Sequence, residues 1–180
     1  MAAKIEFEVE TFRRATEIEF QVTLTKIRQD CNARGSLHSS ICALELAVAH
    51  TDRANAIADL YVEKSLKYLA RSNLLLKEGE GVIKDYLFSR ISPAYDYASG
   101  CIQRAWQELG FQNQAMLAEA TAQCYASRDV AIREATIAID DFAFQSWQKR
   151  WRDRFGKLGM FGKPIIRIVA WAYGFAVRAA

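Results

Sequence analysis

The sequence predicts an all-α protein: an elongated bundle of about five to six helices, followed by a separate amphipathic helix at the C-terminus. Three observations carry this expectation. Apolar residues recur at intervals of three and four along most of the chain, the spacing that lines one face of a helix. Only two prolines occur in 180 residues, and the nine glycines fall mostly where those periodic stretches stop. The hydrophobic fraction is 51%, enough to build one sizeable core in a chain of this length.

Residues 4–31 fit two templates. Residues 5–10 and 18–23 nearly repeat at an offset of 13 and alternate apolar with polar side chains, as strands do. A hairpin needs a turn between them, and Thr11 to Thr16 contains no Gly, Pro or Asn to form one. The helical template places Ile5, Val9, Phe12, Thr16, Phe20, Thr23 and Ile27 on one stripe, with Leu24 and Cys31 beside it, and is the reading preferred. Gly35 suits the left-handed residue that ends such a helix.

Ser36 then reads as the N-cap of a second helix with Ile41, Leu44 and Val48 on its buried side. Thr51-Asp52 either re-caps the chain after a kink or is passed straight through, and Ala58, Val62, Leu66 and Leu69 continue the pattern to about Lys77. Glu63 and Lys67 are spaced to pair on its outer face. Gly79-Glu80-Gly81 predicts a break, and a short helix carrying Ile83, Leu87 and Ile91 follows. Ser92-Pro93 reads as a fresh start, because proline fits a first helical turn where its missing N–H costs nothing. That helix ends at Gly110 and buries Ile102, Ala105, Trp106 and Leu109. Asn113 caps the longest helix, which runs to about Phe155 with a stripe of Leu117, Ala120, Cys124 and Ala131 and then Ile132, Thr136, Ile139, Ala143 and Trp147. At 1.5 Å per residue such a helix is roughly 60 Å long, so it either breaks near Ser127 or makes the protein elongated.

Charge divides the chain. Residues 148–180 hold eight basic residues and one acid, a net +7, which leaves 16 basic and 20 acidic residues, −4, in the rest. The expected organisation is a body over 1–155, a glycine-rich joint over 156–163 built on Gly156, Gly159 and Gly162, and a basic, apolar helix over 164–180. Lys163, Arg167, Trp171, Gly174 and Arg178 share one narrow stripe of that last helix, and the rest of its circumference is apolar. A helix apolar on most sides is buried in protein or lipid, and Trp, Tyr and snorkelling Arg suit an interface. The residues expected to make this outside contact are Trp151, Phe155, Phe161, Lys163, Ile165, Ile166, Arg167, Val169, Trp171, Tyr173, Phe175 and Arg178.

Other chemistry is sparse. His38 and His50 end no Glu-x-x-His pair, which a di-iron bundle requires, so no metal or cofactor is expected. Ser36, His38, Ser39 and Ser40 cluster, but a helix start accounts for the serines. The pairs Asp140/Asp141 and Asp59/Glu63 read as solvated faces. Gly156 to Pro164 is one residue too long for a phosphate loop and ends in proline where Ser or Thr should stand. Trp151, Phe155 and Phe161 interleave with basic residues as nucleic-acid stacking surfaces do, yet the acidic body and the lack of a recognition motif argue against that partner. No signal-like start and no apolar run of transmembrane length are seen, and Cys31, Cys42, Cys101 and Cys124 lack ligand spacing. Reduced, packed thiols in an intracellular compartment, with peripheral membrane attachment, are the expected setting. The functional expectation is a non-enzymatic interaction protein, a subunit of an assembly, that binds an anionic membrane or a protein partner, itself included, through its C-terminal segment. A membrane-permeabilising toxin and an enzyme with an unrecognised helical site are the alternatives.

Overall fold

Residues 4–31, where strand and helix both fit, form helix throughout. The computed structural model describes the backbone of residues 2–72 and 77–155 and the side chains of 2–70 and 80–149. Among these residues there are four α-helices and no strand: α1 (Ala2–Ala33), α2 (Ser40–Ser72), α3 (Lys77–Glu108) and α4 (Gln114–Phe155). The β-branched polar residues of α1 are accommodated by back-bonding. The hydroxyls of Thr11, Thr16, Thr23 and Thr25 each donate to the carbonyl four residues earlier at 2.7–3.0 Å.

Two helix ends are built alike. Gly35 and Gly110 both take φ +67°. Ser36 N donates to Cys31 O at 2.8 Å and Gly35 N to Asn32 O at 2.9 Å. Likewise Phe111 N donates to Trp106 O at 3.2 Å and Gly110 N to Gln107 O at 3.0 Å. Each is the paired bond of a Schellman terminus, which glycine's conformational freedom permits. At the second one the Phe111 ring meets the Trp106 ring edge-on at 5.2 Å. His38 Nδ1–H donates to the orphan carbonyl of Leu109 at 3.0 Å, tying the α1–α2 turn to the end of α3. Asn113 caps α4 as expected: its Oδ1 accepts from Met116 N at 3.2 Å.

Most of the core lies between α2, α3 and α4, and Ile5, Val9, Leu24 and Cys31 of α1 join it. Ile83, Leu87, Ile91, Tyr95, Ala98, Ile102 and Trp106 form one buried line along α3. Ile139 faces it from α4 together with Ala120, Cys124 and Ala135, small residues that let the backbones approach closely. The Tyr95 hydroxyl donates to Asn55 Oδ1 at 2.5 Å and fastens α3 to α2. The backbone of α1 approaches only α2 closely, and its links to α3 are made by side chains.

Three expectations change. The breaks expected at Gly79–Gly81 and at Ser92-Pro93 fall inside α3, so the described residues hold four helices where five to six were expected. Proline in a helix interior costs about 3 kcal/mol. Here Pro93 and Ser89, whose carbonyl it leaves without an N–H partner, are both exposed, and the unbroken buried line outweighs the loss. Secondly, Ser36 completes the end of α1, its Oγ donating to Cys31 O at 3.1 Å, and α2 begins at Ser40. Thirdly, Ile41 and Val48 are 55% and 57% exposed, and the buried side of early α2 is Cys42, Ala43, Leu46 and Ala47. Large side chains mark a stripe in sequence, but small ones allow the closer packing. α2 continues unbroken through Thr51 and α4 through Ser127. The 42 residues of α4 span roughly 63 Å, so the molecule is elongated. The joint at 156–163 and the helix at 164–180 lie outside the described residues.

Candidate interaction groove

The ends of α1 pack tightly and its middle does not. Ile5 and Val9 near one end, and Leu24 and Cys31 toward the other, are buried. Between them Phe12, Thr16, Phe20, Thr23 and Ile27 line a groove of about 820 Å³, closed on the other side by Ile41, Leu44, Val48, Ala49 and Ala56 of α2. All five α1 residues belong to the stripe expected in a core. The space arises from size: Thr16, Thr23, Ala49 and Ala56 are too small to bridge the two helices, so Phe12, Phe20 and Ile27 border an opening.

Polar groups rim this apolar floor. The Arg53 guanidinium lies 4.2 Å from the Phe20 ring centre, and its Nη2 donates to Glu17 at 2.5 Å and to Arg13 O at 3.4 Å. Its Nη1 is buried without a partner. Gln21 and then Arg53 hold the Glu17 carboxyl below the usual carboxylate range. The His50 ring meets Phe20 edge-on at 5.3 Å, and burial, followed by the charges of Arg53, Arg104 and Arg28, lowers its pKa. Glu45 accepts from Arg34 Nη2 at 3.0 Å. Glu19 and Asp52 also line the groove and hold no ion pair among the described residues.

The rest of the titratable chemistry is structural. Glu6 accepts from the hydroxyls of Tyr61 and Tyr86, each at 3.0 Å, and from Arg90 Nε at 2.8 Å, joining α1, α2 and α3. Burial, then Glu6, pushes the Tyr61 phenol up to about 12. Asp140 is not a free acid: Lys84 binds it at 2.5 Å. Glu63 and Lys67 pair as their spacing predicts. Asp59 joins Asn55, Tyr95, Ser127 and Glu134 around a second concavity of about 430 Å³. Burial, followed by Asp59, pushes the Tyr95 phenol there up to about 12, so it stays protonated and serves as a donor. Ser36 and Ser39 spend their hydroxyls on backbone carbonyls, as His38 spends its Nδ1–H, so the serine–histidine cluster is a turn. All four cysteines are free thiols; Cys31, Cys42 and Cys124 are buried and Cys101 is partly so. The Cys42 thiol is pushed up to about 12 by burial first and by the neighbouring Cys31 second, the opposite of an activated nucleophile.

Of the expected contact residues, Trp151 and Phe155 belong to the last turns of α4, but their side chains lie outside the described set. Phe161, Lys163, Ile165, Ile166, Arg167, Val169, Trp171, Tyr173, Phe175 and Arg178 lie outside it altogether, as do Gly156, Gly159 and Gly162. At the described edge Phe144 and Trp147 stack at 6.2 Å, the start of the expected aromatic stripe. Among the described residues no helix is long and apolar enough to cross a membrane. Comparison with protein-family models, with curated proteins and with solved structures finds no match. The groove itself was not anticipated; the signal for it was the alternation of Phe and Ile with Thr along α1, read as core because its period was right.

Proposed function

We propose that this chain is a non-enzymatic helical interaction protein, a subunit of a larger assembly, that attaches through its basic, aromatic C-terminal segment to an anionic membrane surface or to an apolar groove on a partner. The observation that carries the reading is the charge split, +7 over residues 148–180 against −4 over the rest. The body supports it by consuming its own cations. Arg28, Arg53, Lys64, Lys84 and Arg90 each bind a carboxylate on another helix, which leaves the basic excess at the C-terminal end. In this reading residues 164–180 are a helix with a narrow basic strip and a broad apolar face, joined to the body by the glycines at 156, 159 and 162. The long α4 is suited to a part in an assembly, because its 42 residues extend over roughly 63 Å.

Flotation with anionic vesicles tests the membrane branch. Full-length protein is expected to float and a chain ending at residue 155 to stay behind. Equal recovery of the two removes that branch. Dye-loaded vesicles, at saturating protein, are expected to keep their dye; leakage instead assigns the chain to the permeabilising alternative.

A further inference from the structure

The groove between α1 and α2 needs an occupant, and the charge, the length and the reach of the chain select one. We propose that residues 164–180 of a second copy of this chain lie in it. This rests on the reading above and names the partner.

Charge comes first. On the two walls Glu6 lies against Tyr61, Glu8 against Lys64 and Glu17 against Arg53. The same antiparallel register sets Glu19 and Asp52 at one level on opposite sides of the opening. Groove against groove in a two-fold dimer would bring four carboxylates together, which is repulsive. A helix with basic residues and no acid is complementary instead. Residues 164–180 contain no Asp or Glu, and Lys163, Arg167 and Arg178 flank ten apolar side chains. The exposed rim residues Ile41 and Val48 are placed to meet that apolar face.

Length agrees. From Phe12 to Ile27 the groove runs roughly 22 Å along α1, and a helix of residues 164–180 is about 25 Å long.

Reach decides which copy supplies the segment. The Lys84–Asp140 pair and the Glu6–Arg90 pair set Glu6 of α1 level with α4 near residue 136, and so Phe12 near residue 130. Phe155 then lies roughly 38 Å along the axis from the near end of the groove. The nine steps from Phe155 to Pro164 extend at most about 30–32 Å. Fully stretched, they leave Pro164 about 6–8 Å short before any crossing from α4 to the far side of α1. Within one chain only part of the segment would enter the groove; from a second copy the whole segment lies along it.

The test uses full-length protein with Val48→p-benzoyl-phenylalanine, an exposed groove position that tolerates change, and a mixture of isotope-labelled and unlabelled copies. Irradiation is expected to join position 48 to peptides from 164–180, half of them carrying the other copy's label. Arg167→Glu with Arg178→Glu is expected to cut that yield by about tenfold, as removal of charge complementarity should. Same-copy cross-links, cross-links to other segments or none at all overturn the proposal. If the protein then still floats with anionic vesicles or forms oligomers, the broader reading stands and only this inference fails. A monomer that binds no vesicle ends both.

Discussion

The two sides of α2 are packed on different terms. Toward α3 and α4 the largest core side chains are enclosed. Trp106, Tyr95 and Ile139 are fully buried, with Ala120, Cys124 and Ala135 making room. Toward α1 the large residues Phe12, Phe20 and Ile27 meet Thr16, Thr23, Ala49 and Ala56, and about 820 Å³ is left open. Both sides obey the helical period. What separates them is complementarity of volume, which the period alone does not report.

Truncation is the strongest way to break that comparison. Trp106→Ala is expected to cost about 3–5 kcal/mol, because it removes a large buried ring and leaves a sealed cavity. Phe20→Ala is expected to cost about 1 kcal/mol, since its ring is already half-exposed beside the groove and loses mainly its contacts with Arg53 and His50. Denaturant unfolding of the two variants measures the difference. Equal losses would mean that α1 closes onto α2 and that no groove exists in solution.

What the sequence disclosed follows the same division. The helix ends at Gly35 and Gly110 and the cap at Asn113 were legible because each depends on one local property, a positive φ or a side-chain acceptor. So was the helical state of residues 4–31, for want of a turn. The continuity of α3 was not, because Pro93 is a local stop signal that long-range burial overrides. The groove was not legible either: Thr and Phe in one stripe read as core until the size of the opposite wall is known. The C-terminal segment was legible as a charge and apolar pattern, and its pattern still carries the functional proposal.

A second, smaller effect sharpens the packed side. If α3 is one helix through Pro93, Pro93→Ala restores the missing backbone bond to the Ser89 carbonyl at an exposed site. The expected result is a gain of about 1–3 kcal/mol in thermal or denaturant unfolding. No gain, or a loss, would indicate that the chain breaks at Ser92-Pro93 as a first-turn proline requires.

The smallest effect concerns His50, which sits where the two sides of α2 meet. Its ring touches Phe20 on α1, and Arg53 of α2, Arg104 of α3 and Arg28 of α1 all oppose its protonation, as does burial. Its folded pKa is therefore below the ordinary value of about 6.5. Above that value both folded and unfolded chains hold a neutral ring and His50 contributes no pH dependence. As pH falls below about 6.5 the unfolded chain takes up the proton first, so stability drops until the folded pKa is passed. The melting temperature of the native protein should fall more between about pH 7 and 5.5 than that of His50→Gln; parallel curves would place His50 in water.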